Sequence, residues 1–143
     1  MSERSGVINQ VLVHLFNDLL RIEENTLRKE GVDLSMREVH AIEAVCAADG
    51  EGNTMSSLAA KLRVTVGSMT VAVGTLERKG YLIRQRSKED KRRVHVLPTE
   101  EALEVERVHR DYHQRMTRAV MEAVPAEKLD VLVEALGAVN DYF

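Results

Sequence analysis

The sequence predicts a mainly α fold: a winged helix-turn-helix with a two-stranded β wing and N- and C-terminal dimerisation helices. Three observations lead there. Residues 54–80 carry two short apolar stripes at helical spacing, joined by a turn of only two residues. Residues 81–97 read as two short strands around a strongly basic tip. Both ends of the chain carry long apolar stripes of helical period.

The elements follow in order. Val7 to about Lys29 is a helix whose stripe is Ile8, Leu12, Leu15, Phe16, Leu19 and Ile22, widened by Val11 and Leu20. Ser35 to about Ala48 is the next, opened by a Ser35–Glu38 capping box. Asp49-Gly50-Glu51-Gly52-Asn53 is a loop. Thr54 caps a third helix that turns Leu58, Ala59 and Leu62 inward. Arg63 and Val64 make the turn; a left-handed Arg63 would store strain that glycine avoids. Thr65 caps the fourth helix, with Met69, Val73 and Leu76 inward, and a left-handed Gly80 ends it. Tyr81 to Arg86 and Arg93 to Leu97 are the strands, with Val94 and Val96 on one face and Ser87 to Arg92 as the tip. Thr99 caps a long helix to about Ala123, with Glu100 and Glu101 at its positive end. Pro125 breaks the chain before a last helix, Ala126 to Tyr142, with Leu129, Leu132, Val133, Leu136 and Val139 on its apolar side.

The fourth helix points to a partner. With its stripe inward, Gly67, Val71, Gly74 and Arg78 face outward, flanked by Ser68, Thr70 and Thr75. Two glycines inside a helix cost about 1 kcal/mol each against alanine. A solvated face would carry Glu or Lys instead. A thin, neutral face suits close approach to the floor of a DNA major groove, where Val71 and threonine methyls can meet thymine methyls. The hairpin supplies the charge. Residues 78–93 hold eight cations against two carboxylates, a local net of +6 in a chain of net −3. Such segregation serves phosphate binding. At the tip, Asp90 can fix the Arg92 fork for insertion into a narrow minor groove. The candidate DNA-binding residues are Thr65, Gly67, Ser68, Thr70, Val71, Thr75, Arg78, Arg86, Lys88, Asp90, Lys91 and Arg92. A hairpin kept soluble by its own lysines is the plain alternative; beside this helix pair it explains less.

These residues resemble the MarR family of bacterial transcriptional regulators. The resemblance is carried by Leu58-Ala59, Val64, Met69-Thr70, Leu76 to Tyr81 and Asp90-Lys91-Arg92, and the flanking helices fit, so it covers nearly the whole chain. Pro98-Thr99 and Ala102 depart from the family's usual Leu-Thr and Gly, which touches the start of the next helix rather than DNA contact. Within the family the chain is similar to the repressors of fatty-acid synthesis genes, through Arg21 to Glu24, Val64 to Gly67, Leu76 to Tyr81, Arg93 to His95 and His109 to His113. The resemblance implies one domain over 1–143: a winged-helix part over about 35–98, and helical dimerisation parts over about 1–34 and 99–143. It implies a homodimer on double-stranded DNA, at a palindromic, AT-rich operator. It also implies acyl carrier protein, loaded with a long acyl chain, as corepressor. A cleft lined by Phe16, Leu19, Leu20, Ile42, Val108 and Tyr112 is the expected effector site; its aliphatic lining suits an acyl chain better than a planar phenol. A zinc-responsive or small-aromatic-ligand-responsive repressor is the alternative.

The zinc alternative rests on histidines. His109 and His113 lie one helical turn apart, a spacing able to grip a metal, with His40 and Glu23 or Glu24 as further ligands. Zinc-sensing members of the family use a comparable cluster. A hydrogen-bonded core histidine is the plainer reading, and no metal or other cofactor is expected. Cys46, the single cysteine, lies among Ala44, Val45 and Ala47 and reads as an inert packed thiol; alone it excludes an internal disulfide. No catalytic grouping, phosphate-binding glycine loop or dinucleotide fingerprint occurs, so an enzyme is not expected. Neither a membrane span nor a signal peptide is legible, and the expected location is the cytoplasm.

Overall fold

In the computed structural model, which describes residues 2–48 and 50–143, the chain divides into two units, 1–109 and 110–143. Asp49, expected in a loop, lies outside the described residues. The first unit opens with α1 (Glu3–Lys29). The helix starts a turn earlier than its apolar stripe suggests, because Ser2 caps it by accepting from the Ser5 amide at 3.3 Å. A cap lies outside the periodic pattern, so the pattern alone underestimates the helix.

Next comes α2 (Met36–Ala47), with the Ser35–Glu38 capping box complete. Glu38 also receives Lys79 at 2.9 Å, which ties the start of α2 to the end of the fourth helix. A 3-10 turn, Gly50–Asn53, leads into α3 (Met55–Leu62) and α4 (Val66–Arg78). Thr54 and Thr65 cap them, accepting from Ser57 and Ser68 at 3.3 and 3.0 Å. Arg63 between them is left-handed, φ 56° and ψ 42°, so the strain expected of a non-glycine turn is present. It lets the chain reverse within two residues.

The end of α4 is a Schellman motif. Gly80 has φ 86°, its amide donates to Glu77 O at 3.1 Å, and the Tyr81 amide donates to Leu76 O at 2.8 Å. Tyr81 is thereby used in the helix stop, so β1 runs Leu82–Arg86 rather than from Tyr81. β2 runs Val94–Pro98, one residue later than expected, because the Arg93 amide closes the tip turn onto Asp90 O at 3.0 Å. The strands pair antiparallel, with Arg84 opposite Val96 and Arg86 opposite Val94.

Leu58, Met69, Val73 and Leu76 are sealed against Val39 and Ile42 of α2, Leu27 of α1, and Leu82 and Val96 of the wing. This core turns α4's other face to solvent. The last strand passes into α5 (Glu100–Ala123), whose early residues Ala102 and Val105 join the same core. Thr99 caps it as expected, accepting from Ala102 N at 3.4 Å, while its hydroxyl reaches Gly80 O at 2.8 Å.

The second unit holds the end of α5, a 3-10 turn Ala126–Lys128 after Pro125, and α6 (Leu129–Tyr142). The Lys128 amide donates to Pro125 O at 2.8 Å, a tight ring that delays the α-helix expected from Ala126. None of α6 is buried. Among the described residues, no helix is long and apolar enough to cross a membrane.

Gly80→Ala should lower stability by about 1–2 kcal/mol. A Cβ there meets nothing within 4 Å, so the cost is the left-handed backbone alone. Chemical denaturation checks this; an unchanged midpoint would show that Gly80 carries no conformational load.

Candidate nucleic-acid interface

The candidate DNA-binding residues all belong to the first unit, and all but Thr75 are exposed. On α4, Thr65, Gly67, Ser68, Thr70, Val71 and Arg78 are exposed, while Thr75 is half-buried. Val71 is 69% exposed, a large cost for a β-branched apolar side chain with nothing to cover it. Thr70 and Thr75 turn their hydroxyls back onto Val66 O and Val71 O at 2.8 and 3.1 Å, which commits both hydroxyl protons to the helix's own carbonyls.

At the wing, Arg86, Lys88, Asp90, Lys91 and Arg92 are all exposed. The tip is self-organised. Ser87 Oγ accepts from the amides of Glu89 and Asp90, each at 3.3 Å, and Asp90 Oδ1 accepts from the Arg92 amide at 3.0 Å. The carboxylate holds Arg92 through its backbone, not through its guanidinium as expected. The correction has a simple cause: a two-residue Asx turn is the shortest ring available to an Asp in a tight tip. The fork of Arg92 is thus aimed but left uncommitted.

Contacts that sequence pattern does not reveal fasten the wing. Asn53 Nδ2 donates to Val96 O at 3.2 Å, His95 Nδ1 donates to Asn53 Oδ1 at 2.7 Å, and Thr54 bridges His95 as a short third strand. On the other side Glu77 of α4 accepts from the Arg84 amide at 3.1 Å. The wing is held at both edges, so its tip keeps a fixed distance from α4.

The expected effector residues do not share one environment. Phe16 and Leu20 are exposed and Leu19 is half-buried on α1. Ile42 is fully buried and Val108 nearly so; both are core members of the first unit. Tyr112 belongs to the second unit, where its ring meets His113 edge-on with centroids 5.5 Å apart. Periodicity marks a residue as apolar without saying whether it lines a cleft or plugs the core.

His109 is buried on α5 and donates to two carboxylates: Nδ1 to Glu43 of α2, and Nε2 to Glu23 of α1 at 3.3 Å. This is a hydrogen-bonded core histidine that ties three helices of the first unit. Both its nitrogens face carboxylates, and Glu23 with His109 is also a pair that could ligate a metal ion. His40 stands 6.2 Å away, ring to ring, and is exposed; Glu24 is half-buried. Glu43 was not singled out by the pattern, although a carboxylate one turn after buried Val39 was the available signal. Burial pushes the His109 pKa down, but the Glu43 hydrogen bond and charge, with Glu23 behind them, outweigh it and raise the pKa above 6.5. Burial also pushes the Cys46 thiol up to about 11, helped by Glu106 and Glu43, which keeps it protonated and unreactive.

Comparison with known proteins identifies the family and the fold. Residues 34–94 match the MarR family. The structure of Streptococcus pneumoniae FabT in complex with DNA superposes with a TM-score of 0.86, at 33% identity over 96% of each chain. The S. aureus MepR–DNA complex gives 0.74 at 16% identity, over 94% of this chain and 97% of that one. AbsC of Streptomyces coelicolor, a MarR family transcriptional regulator, gives 0.75 at 19%, over 99% and 95%. The last two speak for the fold alone. Among curated protein sequences nothing matches.

Because the His109 pKa is higher folded than unfolded, its stabilisation is complete below pH 6.5 and is lost as pH rises through the folded value. The gap in unfolding temperature between wild type and His109→Gln should therefore be widest near about pH 6 and narrow toward about pH 9. A gap that widens with pH would refute the doubly donating histidine.

Proposed function

The chain belongs to the MarR family of DNA-binding transcription regulators, and on that premise we propose that it is a homodimeric repressor of fatty-acid synthesis genes. In this reading α4 enters the major groove of a palindromic, AT-rich operator and the wing reaches the adjoining minor groove. The observation that carries it is the small-residue outer face of α4, with Gly67, Ser68, Thr70 and Val71 exposed, beside a wing whose Arg86, Lys88, Lys91 and Arg92 are exposed. Thr65, Gly67, Ser68, Thr70, Val71 and Thr75 would meet bases and sugar-phosphate; Arg78, Arg86, Lys88, Lys91 and Arg92 would meet backbone and minor groove, with Asp90 shaping the tip.

Dimerisation is supported by what the single chain leaves uncovered. Ile8, Val11, Leu15, Phe16 and Leu20 on α1 are each about half exposed or more, as are Val131, Val133 and Leu136 on α6. Two stripes of this size mark an interaction surface on a small protein. Pairing two copies would set two reading heads about one helical turn of DNA apart. The winged-helix part over about 35–98 would then be the reader, and about 1–34 and 99–143 the coupling part.

The fatty-acid role draws on the likeness to FabT, the streptococcal repressor resemblance, and the aliphatic surface of α1. The corepressor in this reading is acyl carrier protein bearing a long acyl chain. Such a ligand acts by binding better to one separation of the heads. Phe16, Leu19 and Leu20 are the accessible part of its site. Ile42 and Val108, buried in the core, would take part only through a rearrangement, and Tyr112 is half-buried in the second unit. The protein would work in the cytoplasm, with no cofactor.

In equilibrium binding to its own promoter DNA, Arg92→Ala should cost about 1–3 kcal/mol of affinity at an unchanged unfolding temperature. Full affinity in that variant would take the wing tip out of the interface. In sedimentation the protein should run as a dimer at micromolar concentration. Mobility shifts should tighten with long-chain acylated carrier protein and not with the unacylated form. Indifference to both would remove the lipid role and leave DNA binding standing.

A further inference from the structure

Gly74 of α4 lies beneath a side chain of the first wing strand. A Cβ added there would lie 3.2 Å from Arg84 Nη2 and 3.7 Å from Arg78 Nη1. Two guanidinium groups thus converge over the one position of this helical turn that has no side chain. Each is steered from a different direction. Glu77 accepts from the Arg84 amide at 3.1 Å and stands 3.7 Å from its Nε, while Thr75 Oγ1 accepts from Arg78 Nη2 at 3.3 Å. One carboxylate at that distance does not neutralise two cations. Like charges held side by side repel, and an anion between them turns that repulsion into attraction. Arginine is also the side chain whose planar fork matches phosphate oxygens.

We infer that Arg84 and Arg78 form a seat for one DNA backbone phosphate, with Gly74 as its floor and Glu77 and Thr75 as its positioning groups. The seat lies at the C-terminal end of α4, between the helix and the wing. A strand leaving the groove read by α4 for the groove reached by the wing passes that junction. Gly74 is then not merely a tolerated weak point of the helix. Its missing side chain is the space in which the Arg84 fork rests. The inference rests on the DNA-binding reading and deepens it. Arg84 stands outside the residues that spacing selected, because it faces α4 only after the hairpin has folded back.

The test uses the full-length protein, its promoter palindrome and an unrelated duplex, with binding followed by fluorescence anisotropy from about 50 to about 200 mM salt. Arg84→Ala should weaken binding to both duplexes by a similar factor, since phosphate contacts carry no sequence information. The slope of log affinity against log salt should become shallower by about 0.9 for each reading head. Arg84→Lys should restore most of the slope and only part of the affinity. Gly74→Ala should weaken binding while leaving the unfolding temperature unchanged or higher, because alanine favours the helix. An Arg84→Ala protein with wild-type slope and affinity overturns the seat. So does a loss of affinity that follows a lowered unfolding temperature with the slope intact, which makes Arg84 a structural strut. A wild-type protein that binds neither duplex overturns the regulator reading itself, and the seat with it.

Discussion

The rest of the structure depends on one constraint: α4 must be held firmly from one side while the other side stays bare. A helix whose outer face is built of small residues contributes little to its own stability: its glycines weaken it, and most of that face buries little. Its apolar anchoring comes from Met69, Val73 and Leu76, each fully buried in the core shared with α2, α3 and the wing. The two ends are secured by the Thr65 cap and the Gly80 Schellman turn. With both ends and one face fixed, helix rotation is no longer free, and the outward set is determined to the residue.

The parts legible in the sequence are those governed by local rules. The Ser35, Thr54, Thr65 and Thr99 caps, the left-handed Arg63, the Gly80 stop and the inward stripes of α3 and α4 depend on residues a few positions apart, and each stands where the pattern puts it. What the pattern misses is made by distant residues. Asn53 meets His95 across 42 positions, Glu43 meets His109 across 66, and Glu23 meets His109 across 86. No periodicity carries that information. Only the packing of apolar stripes brings those side chains together. Ile42 shows the same limit from the other direction. Its place on an apolar face is correctly read, but the depth of that face is decided by Leu27, Val39 and Val105, which come from three different helices.

Charge is organised in two layers. On the surface, cations gather at the wing and at the end of α4, loosely paired and ready for phosphate. Inside, a single imidazole lies between two carboxylates. The surface cations are cheap to keep, since water solvates them until DNA replaces it. The buried set is held by geometry, because removing one member leaves an uncompensated group in a poor dielectric. The first arrangement favours exchange of partners, the second permanence, and each suits its place.

That buried set also bears on how a distant event could reach the reader. His109 joins α5 to both α1 and α2, and α2 packs directly on α3 and α4. Glu23, His109 and Glu43 thus form one side-chain network that touches α1, α5 and α2 together. The apolar stripe of α1 lies on the same helix as Glu23, which places the most adaptable surface of the protein and the stiffest part of its core on one continuous rod.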